Sequence, residues 1–176
     1  MAKIQPNASI DPDSEGKAAL ISNERLYDAW APTYDTVLNK TRDLEKNACR
    51  FTLAEVLFET VIELGCGTGK NTAWLAWKAR HLIAVDISAE MQAIAKGKVS
   101  GKVDFKIADI TKPWDFASGK ADLITCSLIL EHVKNLDFVF GEAARSLKAG
   151  SIFISASCIL SSNTAAARPD SKEAAA

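Results

Sequence analysis

Thr60-Val61-Ile62-Glu63-Leu64-Gly65-Cys66-Gly67-Thr68-Gly69 is the stretch on which the fold turns. A short apolar, β-branched run ends abruptly in glycines at alternate positions, and a helical pattern follows over 71–80. Glycines placed there let the backbone turn tightly and come close to a ligand, where a Cβ would collide. The helix behind them offers unpaired N–H groups and the positive end of its dipole.

The same alternation continues outward. On its C-terminal side, 81–85, 103–107, 121–126 and 151–155 read as further strands. Ser88 caps a helix that closes at Gly97, and 113–119 is a loop. Asn135 starts a helix with Leu136, Val139, Ala143 and Leu147 on one face, closing at Gly150. Upstream, 23–39 is aromatic-rich and broken at Pro32 into two short helical pieces. The segment 42–58 reads as an amphipathic helix with Leu44, Ala48 and Phe51 on its apolar stripe. Strands alternating with helices at this spacing imply βαβ units, and hence a doubly wound, mostly parallel α/β sheet with helices on both faces. The expected organisation is a disordered start over 1–20, a helical annex over 21–58, the α/β domain over 59–160 and a flexible tail over 161–176.

Composition narrows the classes of function. In 176 residues, 48% of them hydrophobic, there is material for one core. Lys and Arg number 21 against 22 Asp and Glu, so the chain lacks a basic nucleic-acid footprint. No run approaches the roughly 18 apolar residues of a membrane span, and the N-terminus lacks the order of a signal peptide. A cytoplasmic location is the expectation. Cys49, Cys66, Cys126 and Cys158 form no C-x-x-C pair, and His81 and His132 are the only histidines. Neither a disulfide framework nor a metal site is expected.

The glycine spacing discriminates among nucleotide sites. A P-loop fails, because Asn71 follows Gly69-Lys70 and Leu64 stands at the first glycine's place. A dinucleotide fingerprint finds Lys70 where its third glycine belongs, which disfavours a nicotinamide cofactor. Asp86 ends the second strand in Ile83-Ala84-Val85-Asp86-Ile87-Ser88, 21 residues after Gly65, where a carboxylate can accept from both hydroxyls of a ribose. Glu63-x-Gly65-x-Gly67-x-Gly69, with Asp86, resembles motif I of class I S-adenosylmethionine-dependent methyltransferases. The likeness runs from Tyr27 to Ser155. Tyr27-Asp28-x-Trp30-Ala31-x-x-Tyr34-Asp35 is similar to the segment that lies over the cofactor in many members. Asp109 matches the acidic position that meets the adenine amino group, and 122–133 resembles motif IV, with Ser127 and Leu128 beside the methyl donor.

That resemblance implies a Rossmann-like fold, S-adenosyl-L-methionine as cofactor, and in-line transfer of its methyl to a small-molecule or unidentified acceptor. It places Gly65, Cys66, Gly67 and the loop backbone at the methionyl portion. Glu63 would act through water or the ligand's ammonium, while Thr68 and Asn71 would donate to its carboxylate. Ile87 and Ile110, beside Asp86 and Asp109, and the cover residues Tyr27, Trp30 and Tyr34 complete the expected contacts. Members carry two further strands after the fifth. The five here imply the order 3-2-1-4-5 and a C-terminally truncated chain, whose open fifth strand is expected to pair with a second copy or a partner.

Plainer roles stay open beside these. Tyr27, Trp30 and Tyr34 suit core packing as well as cofactor cover, and Asp109 suits turn chemistry. His132 and Glu131 are candidates for a general base or ordinary loop residues. Trp74 and Trp77 read as packing aromatics, Lys96, Lys98, Lys102 and Lys106 as a solvated face, and Cys66 receives no nucleophilic role. The rival functions are a noncatalytic cofactor-binding or partner-interaction module and, last, a nicotinamide-dependent oxidoreductase.

Overall fold

β1 (Thr60–Leu64) is the central strand of a five-stranded parallel sheet. It lies between β2 (His81–Asp86) and β4 (Ala121–Ser127), with β3 (Val103–Ile107) and β5 (Leu147–Ala156) at the two edges, in the order 3-2-1-4-5. The computed structural model describes residues 12–117 and 119–157, with side chains from residue 23 onward. The expected tail over 161–176 and residues 1–11 lie outside the described residues. No described helix is long and apolar enough to cross a membrane.

Burial on both faces explains why β1 and β4 read as near-continuous apolar runs. Ile62, Leu64, Ile124 and Cys126 join one core with Trp114 and with Val139 and Ala143 of α5 (Leu136–Ser146). Val61 and Leu123 point the other way, into a core with Leu75 of α3 (Thr72–Lys78) and Cys49 of α2 (Lys40–Thr52). α4 (Ala89–Lys98) is capped by the Ser88 hydroxyl, which accepts from Met91 N at 3.1 Å. Its buried Gln92 donates to Ala84 O and Lys106 O, fastening α4 across β2 and β3.

The annex departs from expectation in three ways. α1 runs unbroken from Pro12 to Tyr34, so residues 12–20 are helical. Pro32 sits in its last turn, where it removes one hydrogen bond without splitting the helix. α2 ends at Thr52, before residue 58, and its buried stripe is Glu45 and Cys49 followed by Leu53; Leu44 and Phe51, expected inside, are 71% and 85% exposed. The inward face carries a carboxylate, so hydrophobicity alone points to the wrong side of this helix.

Smaller corrections follow from contacts that cross elements. The fifth strand starts at Leu147, directly after α5, and its register shifts between the Ala121–Leu147 and Leu123–Ile152 pairs, so Gly150 lies in the strand's irregular stretch and closes no helix. Gly97 likewise lies inside α4. Trp77 is 83% exposed, whereas Trp74 packs edge-on to Phe58. Lys98 is no free surface lysine: it donates to Thr68 O at 2.9 Å and pairs with Asp35.

Parallel strands bring the loops after β1, β2, β3 and β4 to one end of the sheet, and the chain order reverses direction between β1 and β4. Gly69 sits there at φ +85°, where a Cβ would lie 3.0 Å from the Ala95 backbone of α4. Gly69→Ala is therefore expected to cost about 1–3 kcal/mol, from backbone strain and a contact that cannot yield. Gly97, exposed on α4 with open space around it, should behave oppositely: Gly97→Ala is expected to gain about 0.5–1 kcal/mol from helix propensity. Urea unfolding of both variants checks the pair.

Candidate functional site

The glycine loop is stitched to β2 before it reaches any ligand. Gly65 N and Cys66 N both donate to Val85 O, at 2.8 and 2.9 Å. Gly67 N donates to Asp86 Oδ2 at 2.7 Å, and Ser88 N donates to Asp86 Oδ1 at 2.9 Å. Burial raises the Asp86 carboxyl's proton affinity, while the N–H groups of Ser88, Gly67 and Ile87 pull it down. One lone pair on each Asp86 oxygen remains to accept from a ligand. Gly67, at φ +51°, has nothing within 4 Å of where its Cβ would stand.

A cavity opens over this loop. Its walls include Glu63, Gly65, Cys66, Gly67, Thr68 and Asn71 after β1, Asp86 and Ile87 after β2, Asp109 and Ile110 after β3, and Ser127 after β4, with Tyr27 and Tyr34 from α1. Trp30 does not reach it; it packs against Tyr27 and Tyr34 with ring centroids 6.2 and 5.0 Å away. Glu131 stays outside and exposed. His132 lines the mouth, its Nε2 hydrogen-bonded to the Tyr27 hydroxyl at 3.0 Å. Asp109 Oδ1 accepts from Thr111 N and Thr111 Oγ1 at 2.8 and 2.7 Å, so the turn role is filled and the other oxygen faces no protein donor.

Glu63 is fully buried at the end of the central strand, and its Oε2 has no hydrogen-bond partner. Burial, with Asp86 and Glu45 nearby, pushes its carboxyl up to about 8. Burial also raises the thiol of Cys66 far beyond the physiological range, which removes any thiolate there. Thr68 and Asn71 are not the donors expected. The Thr68 hydroxyl donates to Asp35 Oδ1 at 2.8 Å, and the Asn71 amide donates to Glu45 at 3.0 and 3.2 Å.

Polar contacts fasten the annex over the cavity. Besides Tyr27–His132 and Thr68–Asp35, the Ser88 hydroxyl donates to Asp28 Oδ1 at 2.5 Å. The Arg42 guanidinium lies 4.2 Å from the Tyr34 ring centre and donates to Tyr34 O and Val37 O, each at 2.6 Å, which sets the corner between α1 and α2. Glu45, Arg42 and Lys70 line the cavity and were not singled out from the sequence. Glu45 had a readable signal, its i, i+4, i+8 spacing with Cys49 and Leu53. Leu128, expected beside Ser127, lines the cavity too, at a φ of +57° in the turn after β4.

The profile of a family described as "Methyltransferase domain" matches residues 62–155. A demethylmenaquinone methyltransferase of Leptospira interrogans is 34% identical over 101 residues, 53% of this chain and 41% of that protein. A magnesium-protoporphyrin O-methyltransferase of Rhodobacter capsulatus is 30% identical over 142 residues, 71% of this chain and 62% of that protein. The chain therefore spans less than two thirds of either relative. Among solved structures, the DhpI–SAH complex superposes with a TM-score of 0.65 at 26% identity, over 77% of this chain and 67% of that one.

The buried Glu63 makes stability depend on pH. Its carboxyl titrates near 4.5 when unfolded and about 8 when folded. Between those values the unfolded chain gives up a proton that the folded chain keeps, so rising pH favours unfolding by at most about 1.4 kcal/mol per pH unit. Glu63→Gln has no such proton, and its stability relative to wild type is expected to increase steadily from about pH 5 to about pH 8. Parallel urea-unfolding curves for the two proteins across that range would contradict the burial of an ionisable group there.

Proposed function

The chain belongs to the methyltransferase-domain family, and from that premise we propose that it binds S-adenosylmethionine in this cavity and transfers the methyl group to a small-molecule acceptor. The observation that carries the reading is Asp86: a carboxylate at the end of β2, fixed by Gly67 N–H and Ser88 N–H and open to the cavity. The residues fit the group. Gly67 leaves open space where a side chain would block approach, and Glu63 Oε2 and Asn71 Oδ1 are buried acceptors without partners. Asp86 would take the ribose hydroxyls, Asp109 the adenine amino group with Ile87 and Ile110 beside the ring, and the Gly65–Gly67 backbone the methionyl portion. Tyr27 and Tyr34 would cover it, held by Trp30.

The bound cofactor supplies a methyl made electrophilic by the adjacent sulfonium. This chain's task is then to align an acceptor atom and exclude water. Ser127 and Leu128, after β4, wall the cavity, and α1, tied to His132 through Tyr27, closes it from above. His132 is the group at the mouth able to accept a proton, where the acceptor must lose one. The curated relatives, by their names, methylate demethylmenaquinone and magnesium-protoporphyrin, which supports a small organic acceptor. The free, buried thiols of Cys49, Cys66 and Cys126 suit a reducing, cytoplasmic setting.

β5 is hydrogen-bonded to β4 alone among the described strands, and Ile152 on it is 39% exposed. We propose that this edge takes a strand from a second copy. Dimers in sedimentation that dissociate on Ile152→Lys would support it, and a concentration-independent monomer would overturn it.

Calorimetric titration with S-adenosylmethionine and with S-adenosylhomocysteine tests the main reading. Saturable binding to wild type is expected, weakened roughly tenfold to a hundredfold in Asp86→Ala by the loss of hydrogen bonds to a charged group. No saturable binding to folded wild type would remove it. Binding without turnover on any acceptor would favour the noncatalytic module instead.

A further inference from the structure

One end of the cavity is built almost entirely of acceptors, and its organiser is a residue of the annex. Glu45 projects from α2 into the site and is 7% exposed. Its Oε1 accepts from the Ser127 hydroxyl at 2.7 Å and from Asn71 Nδ2 at 3.0 Å, and its Oε2 accepts from the same Asn71 amide at 3.2 Å. An ionised carboxylate can only accept, so Asn71 must turn its NH₂ toward Glu45. That leaves Asn71 Oδ1 as the end of the amide without a partner, buried in a residue 7% exposed. Glu63, fully buried on β1, likewise has Oε2 unpartnered.

Three side chains from α2, β1 and the start of α3 therefore line one cavity with spare acceptor capacity, and the proton that burial holds on Glu63 is the one a cation placed there would release. Burying such groups unpaired costs about 1–3 kcal/mol each unless a ligand satisfies them. The basic side chains on the same wall do not supply that partner. Lys70 donates to Arg42 O and faces Asp43 at 3.6 Å, while Arg42 is spent on Tyr34 O and Val37 O.

We propose that Glu45 is a binding residue which, with Glu63 and Asn71, receives the primary ammonium group of the cofactor's amino-acid portion. The assignment rests on the cavity being an S-adenosylmethionine site. A primary ammonium has three donors and no acceptor, which matches a wall with the opposite composition. The positive charge also relieves the proximity of Asp86 and Glu45 to Glu63, whose proton affinity they raise. Glu45 acts in two ways: it presents its own Oε2, and it holds Asn71 with the oxygen toward the ligand. The annex thus contributes a charge to the site as well as a cover.

Three ligands separate this role from a structural one. S-Adenosylhomocysteine carries ammonium and carboxylate, its decarboxylated amine carries the ammonium alone, and 5′-methylthioadenosine carries neither. Each is titrated calorimetrically into wild type and Glu45→Gln, an isosteric change that keeps an oxygen to accept from Ser127. The expected result is a loss of roughly tenfold to a hundredfold in affinity for the first two in the variant, with methylthioadenosine binding unchanged. Equal weakening of all three would assign Glu45 a structural role and overturn the proposal, as would an unchanged affinity for the amine. If methylthioadenosine binds wild type while the amine binds no more tightly than it does, the adenosyl site stands and the ammonium assignment falls. If none of the three binds wild type, the cofactor reading falls and takes this assignment with it.

Discussion

Two consecutive amides, Gly65 N and Cys66 N, donate to the single carbonyl Val85 O, and the rest of the site depends on that junction. It bends the chain off β1 toward β2 and so sets Gly67 beside Asp86, whose carboxylate then closes a second link to the same loop. A backbone that serves two strands in so few residues needs positive φ at Gly65, Gly67 and Gly69. Once the loop is held, the start of α3, Asn71 included, is held with it. Relaxing the junction would move Asp86 and the Asn71 end of the cavity together.

The electrostatics of the site follow from where those links place carboxylates. Burial raises the proton affinity of both Asp86 and Glu63; at Asp86 backbone N–H groups oppose the rise, whereas at Glu63 the neighbouring Asp86 and Glu45 add to it. Of the two acids beside the same turn, Glu63 is the one held up to about 8. The site without ligand carries strain at Glu63 that a cation would relieve, and in that sense it is preorganised for a positively charged guest. The annex answers the same demand from outside, since Asp28, Asp35, Tyr27 and Glu45 bond to groups of the α/β domain at or near the cavity.

Much of this was legible in the chain, for a physical reason. β1 and β4 are buried on both faces, so their runs had to be apolar and short, and the glycines and Asp86 had to follow at the strand ends. The annex was less legible because it is selected for two things at once. α2 must pack on the sheet and also deliver Glu45, so its inward stripe contains a charge while Leu44 and Phe51 face outward. A stripe chosen by hydrophobicity lands on the wrong side of such a helix. Pro32 misled for a related reason: a helix end tolerates a missing N–H that its middle does not. The protein partners of Thr68 and Asn71 were not legible because Asp35 and Glu45 come from the annex, far away in sequence.

The acceptor side is faint in the sequence for a chemical reason as well. A polar pocket demands specific charges at fixed distances, and in this chain they are spelled out at Asp86, Glu63 and the glycine loop. A sulfonium methyl needs little from the protein beyond alignment and dryness, which many apolar and aromatic surfaces can supply. Around the mouth of this cavity those surfaces are Tyr27, Tyr34, Ile129 and Val133 with His132 at the rim, residue types common at any helix–loop contact. The mouth is shaped between α1 and the segment after β4, and the Tyr27–His132 bond couples its two walls. A molecule that displaces this bond must replace it with contacts of its own, so the hydrogen bond that closes the mouth also sets a threshold for entry.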